Sequence, residues 1–141
     1  MRDVSHNERV EISLQGAVRT APANGDAIID LQGFEGAGVV VMSGVITDGT
    51  AYTFELKHGD QPNLSDAAAV PDSDLTGGGP TAGDLEPTFL AADDHHTHWF
   101  GYIGSKRYLR IDLVTVTGSP SSGGYFIGFV IKGQPRHAPT A

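Results

Sequence analysis

Apolar and polar residues alternate with a period of two over much of the chain. Val10, Ile12 and Leu14 alternate with Glu11 and Ser13; Tyr52, Phe54 and Leu56 with Thr53, Glu55 and Lys57; Leu109, Ile111 and Leu113 with Arg110, Asp112 and Val114. Each run reads as a strand with one buried face. Two other segments are apolar on both parities. One is AGVVVMSGVI, from Ala37 to Ile46; the other is GGYFIGFVIKG, in which Tyr125, Ile127, Phe129 and Ile131 face one way and Phe126 and Val130 the other. A strand of that kind needs cover on two faces. In a small two-layer domain the second cover comes from a neighbouring loop or from another chain.

Turn chemistry punctuates the strands: ANGD at 23–26, GFEGAG at 33–38, TDGT at 47–50, HGDQPN at 58–63 and TGSPSSGG at 117–124. The best helical stretch, LSDAAAV from Leu64 to Val70, has room for one turn before Pro71 stops it. The pattern predicts an all-β fold, one β-sandwich domain over residues 1–141 with about eight strands, jelly-roll or Greek-key-like in its connections. Residues 59–94 form a long acidic, Gly/Pro-rich excursion with eight carboxylates and no Lys or Arg. Short strands are expected inside it, near Ala67 to Val70 and Thr88 to Ala91, with the rest a surface loop. Residues 133–141, rich in proline and without apolar alternation, read as an extended C-terminal tail suited to lying along a partner.

Composition narrows the chemistry. The 141 residues include no Cys, which excludes disulfides, thiolate metal sites and thiol catalysis. Nine Lys and Arg against 17 Asp and Glu give a net charge of −8, a poor match for a phosphate backbone, so nucleic acid is not an expected partner. No apolar run approaches the length of a membrane-spanning helix, and the charged start MRDVSHNERVEIS lacks the apolar stretch of a secretion signal. The product is therefore expected to stay in the cytosol, with no membrane partner.

Four sets of residues carry candidate chemistry. In ADDHHTHWF, Asp93, His95, His96 and His98 have the donor types for a divalent metal. On a strand, however, His96 and His98 share a face while His95 points away, and no recognised ligand spacing is present. The plainer reading is a polar lead-in to a strand, with no metal and no cofactor. Trp99 and Tyr102 are the candidates for a sugar-stacking platform. Five of the nine cations, Lys106, Arg107, Arg110, Lys132 and Arg136, fall in the last 36 residues. Of these, Arg107, Arg110, Lys132 and Arg136, with Phe126 and Val130 as apolar centre, are the expected partner contacts. No nucleophile elbow or phosphate loop is present, and the paired carboxylates lie in loops where solvation is the ordinary fate. No enzymatic activity is expected.

The stretches DLQGFEGAGVVVMSGVITDGTAYTFELKHGD (30–60), HWFGYIGSKRYLRIDLVTVTG (98–118) and GGYFIGFVIKGQPRHAP (123–139) together resemble a family of small virion structural proteins of tailed bacteriophages. The shared features are a Val-rich strand after LQGF, a DGT turn, the phrase GYIGxKRYLR and a terminal PRHxP, in that order; residues 61–97 are least alike. The three histidines before Trp99 depart from the pattern. The resemblance implies a non-enzymatic β-sandwich made in the infected cell and assembled onto the virion. A capsid decoration or cement protein is the leading form, with a head–tail or tail component as the alternative. The partners it implies are the major capsid protein and copies of this chain, as a homo-oligomer on the particle.

Overall fold

The computed structural model describes residues 7–79 and 85–135, with side chains to Gly133. Ten strands are present among them: β1 (Arg9–Arg19), β2 (Ile29–Asp30), β3 (Phe34–Ile46), β4 (Ala51–Gly59), β5 (Ala68–Ala69), β6 (Leu75–Thr76), β7 (Thr88–Leu90), β8 (Thr97–Tyr102), β9 (Tyr108–Thr117) and β10 (Gly124–Pro135). A 3-10 turn, Asp72–Asp74, follows Pro71. Leu64 to Val70 forms no helix; it holds a turn with Leu64 at φ 51° and then the short strand β5. No helix of the described residues is long and apolar enough to cross a membrane.

All pairings are antiparallel and build two sheets. One runs β1-β10-β3-β8-β6, the other β2-β9-β4-β5, with β7 also pairing β4. If β6 and the split β5/β7 edge are set aside, the remaining four strands of one sheet and three of the other alternate in chain order in the manner of a jelly roll. The all-β sandwich anticipated from the period-two pattern is thus the architecture observed. Both short strands expected inside the 59–94 excursion are present, as β5 and β7.

The core lies between the sheets. Phe126 is fully enclosed, with ring centroids of Tyr52, Phe54 and Phe89 at 4.9, 5.1 and 5.4 Å. Leu14, Val39, Val41, Leu56, Leu109, Ile111, Leu113 and Val130 are among its other members. These residues follow strand parity, as the alternation required. The first strand breaks the rule. Its pairing with β10 shifts register between Ile12 and Leu14 and again between Leu14 and Ala17. Ser13 and Leu14 are therefore both buried, whereas Val10 and Ile12 are 58% and 48% exposed on the opposite face.

Turns are locked by carboxylates. Asp48 of the TDGT turn accepts backbone N–H bonds from Ser121, Ser122 and Gly123 at 3.0, 3.1 and 2.6 Å, so one side chain organises the TGSPSSGG loop. These donors hold its carboxyl below the ordinary range. In the same turn Gly49 has φ 91°, and an added Cβ would lie 2.7 Å from the Tyr52 hydroxyl, so both conformation and space demand glycine there.

Candidate functional site

The residues singled out by sequence disperse in the fold. His95 stands exposed in a turn at φ 55°. His96 and His98 line one cleft of about 470 Å³ between β7 and the start of β8, together with Glu86, Asp93 and Phe89. Within it His96 Nδ1 lies 3.4 Å from Asp93 Oδ1, while Asp93 Oδ2 accepts the Leu90 N–H at 2.7 Å. His98 Nε2 donates to the Leu85 carbonyl, so that nitrogen is committed to the backbone. Glu86 accepts the Leu56 N–H at 2.7 Å, and burial raises its carboxyl above the usual range. Among the described residues no group of three His, Asp or Glu converges on a point where an ion would sit. The donor types read from ADDHHTHWF therefore do not become a ligand set.

Trp99 and Tyr102 have opposite parity on β8 and point to opposite faces. Trp99 is 47% exposed, whereas Tyr102 is buried. The Tyr102 hydroxyl accepts the Lys106 N–H at 3.1 Å and shares a hydrogen bond with His58 Nδ1 at 3.0 Å. A stacking platform made from these two rings is excluded by that geometry.

The expected partner contacts also need correction. Phe126 and Val130 are fully buried, because β10 turns this parity inward. Lys132 follows the same parity. Its ammonium is buried, donates to the Asp30 carbonyl at 3.0 Å, ion-pairs with Glu11 and sits 5.0 Å from the Phe34 ring centroid. Arg110 is largely buried in a bidentate pair with Asp112, at 2.7 and 2.9 Å. Arg107 is exposed, but its guanidinium is held by Asp30 at 2.8 and 2.9 Å and by Gln32 at 2.6 Å. That pairing depresses the Asp30 carboxyl. Arg136 lies outside the described residues. None of the described arginines and lysines of this set offers an unpaired charge.

What the fold does expose is the outer face of β1, β10, β3 and β8. Registers align its side chains across strands: Ile12 opposes Phe129, Phe129 opposes Val40, and Val40 opposes Trp99. A second row runs Val10, Ile131, Gly38 and Gly101, and Ile127 pairs with Met42 on the other side of the first. Val10, Ile12, Met42, Trp99 and Tyr125 are all more than a third exposed. Gly36 to Val45, Thr97 to Ile103 and Tyr125 to Gly133 place no charged side chain outward. The opposite sheet differs: its outer surface carries Glu55 paired with Lys57 and Arg110 paired with Asp112.

The apolar surplus of β10 was visible in the sequence, but it lies on the parity of Tyr125, Ile127, Phe129 and Ile131. Period-two reading cannot say which parity meets the other sheet when both are apolar. Four strands about 4.8 Å apart and some six residues of about 3.3 Å give this face a projected area on the order of 400 Å². That is as large as the largest apolar patch on an ordinary monomer.

No family description matches the sequence, and no curated protein matches it. Among solved structures, the crystal structure of the SPBc2 prophage-derived protein YomS is similar in fold. It has a TM-score of 0.55 and 15% sequence identity, over 89% of this chain and 92% of that one.

Proposed function

We propose that this chain is a non-enzymatic structural protein of a tailed-phage virion, a decoration or cement protein that binds the assembled head. Its partners in this reading are the major capsid protein and copies of itself, and its place of action is the particle. One observation carries the reading: an apolar sheet face spanning four strands, three of which place no charged side chain outward, on a chain whose net charge is −8. Apolar surface left in water is unfavourable by roughly 25 cal/mol per Å², and packing against a neighbour removes that cost. The ordered motifs of residues 30–60, 98–118 and 123–139 support a virion protein, and the prophage origin of a structure with this fold is consistent with it.

The test is compositional. Purified, DNA-filled particles are expected to contain this polypeptide in many copies by quantitative mass spectrometry. Its absence from such particles overturns the reading.

A further inference from the structure

Two glycines of the outer face, Gly38 and Gly133, are not required by the packing around them, unlike Gly101, where an added Cβ would clash with Thr76 Oγ1. At Gly38 the nearest atom to an added Cβ is Ile131 Cβ at 4.0 Å, and at Gly133 nothing lies within 4 Å. Neither has a positive φ. Glycine in a strand interior lowers β stability and leaves no side chain to pack. With Gly36 and Gly101 these residues floor an open trough of about 420 Å³, walled by Ile131 and Ile103 and edged by Thr76 and Glu8. That volume lies in the range that accepts a small-molecule ligand, so a single indole fits.

The trough lies beside the bulkiest row of the face. Ile12, Phe129, Val40 and Trp99 stand two residues along the strands from Val10, Ile131, Gly38 and Gly101. A two-fold axis crossing the strands midway between the two rows brings each row over the other row of a second copy. Val40 then covers Gly38, Trp99 covers Gly101, Phe129 meets Ile131, and Ile12 meets Val10. Large residues meet small ones at both ends of β3 and β8, as an isologous contact needs. The packing is that of two aligned sheets about 10 Å apart.

We infer that the outer face of β1-β10-β3-β8 pairs with the same face of a second copy, with Trp99 of each seated in the glycine trough of the other. This rests on the assembly reading above and names the partner for that face. Charge permits a second copy: β3, β8 and β10 place no charged side chain on this face, and the carboxylate that lines the trough, Glu8, lies beyond the Val10 row, so the two-fold axis sets the two Glu8 side chains at opposite ends of the contact. Area sets the strength. Two such faces bury on the order of 1,000 Å² once side-chain relief is included, the low end for a specific contact, so a weak dimer is expected.

The experiment is sedimentation velocity of the purified full chain over a concentration series reaching about 100 μM, a range suited to a low-area interface. Wild type is expected to self-associate. Gly38→Val fills the trough with a strand-favouring residue and is expected to raise the dissociation constant by at least about tenfold, with the thermal midpoint unchanged or higher. Trp99→Ala, the second variant, is expected to weaken association similarly with the fold intact by circular dichroism. A wild type that is monomeric throughout, or a Gly38→Val protein that pairs as tightly as wild type, overturns the inference.

Co-sedimentation with heads lacking the protein separates this inference from the functional reading. Self-association without binding to heads leaves the pairing standing and removes the decoration role. A monomer that binds heads, and loses that binding on Gly38→Val, assigns the face to the shell and removes the pairing.

Discussion

His58 sits inward on β4, 8% exposed, and its Nδ1 is hydrogen-bonded to the Tyr102 hydroxyl. Desolvation lowers its pKa from the usual value near 6.5. The sign of the linkage follows. The folded state binds fewer protons than the unfolded state, so stability is complete above about 6.5 and declines as the pH falls below it toward the folded pKa. The thermal midpoint is therefore expected to fall between pH 7.5 and 5.5, with a smaller fall in His58→Asn; equal pH slopes for the two proteins would remove His58 as the cause. Arg110 shows a different residue-scale lesson. Its cationic head neutralises Asp112, which is itself buried and accepts the Gly25 N–H at 2.8 Å, so reversing its charge attacks the fold before any partner contact.

Along β1 the register shifts turn Ser13 and Leu14 inward together. The Ser13 hydroxyl donates to the Ala27 carbonyl at 2.8 Å and accepts the Ile111 N–H of β9 at 3.0 Å, tying one sheet to the other. Ser13→Ala leaves the Ile111 amide without that acceptor in a buried place. A loss of about 1–3 kcal/mol is expected in denaturant unfolding, and a loss under 0.5 kcal/mol would show that another acceptor replaces it. The same shifts explain what sequence could and could not tell. Alternation places Tyr52, Phe54 and Leu56, and likewise Leu109, Ile111 and Leu113, on buried faces, and the structure agrees. On β1 it puts Val10, Ile12 and Leu14 on one face, and a bulge that no local residue announces moves the first two outside. On β10 it detects surplus apolar surface but cannot choose between Phe126/Val130 and Ile127/Phe129, since packing against the other sheet makes that choice. His95, His96 and His98 were legible as donors; their dispersal follows from the His95 turn and the Leu85 carbonyl, neither of which composition encodes.

For the whole molecule the dominant feature is its polarity: one outer sheet face is apolar, with no charged side chain outward on β3, β8 and β10, the other carries the pairs Glu55–Lys57 and Arg110–Asp112, and the net charge is −8. Contact through the apolar face leaves the remaining negative charge of two copies to repel at longer range. Mobile ions screen that repulsion over about 8 Å at physiological ionic strength, and apolar contact is not weakened by them. Self-association is therefore expected to strengthen between low and high sodium chloride. A salt-weakened dimer would mean that ion pairs hold it, and sedimentation at two salt concentrations distinguishes the cases.

The start of β1 and the end of β10 are neighbours, with Arg9 directly across from Lys132. The described ends of these two strands therefore lie near one corner of the sandwich. A short joint between them would close the backbone into a ring, and the TDGT connection between β3 and β4 offers a place to reopen it. A cargo carried at that corner, or at the reopened turn, is a handle for display that leaves the strand order untouched.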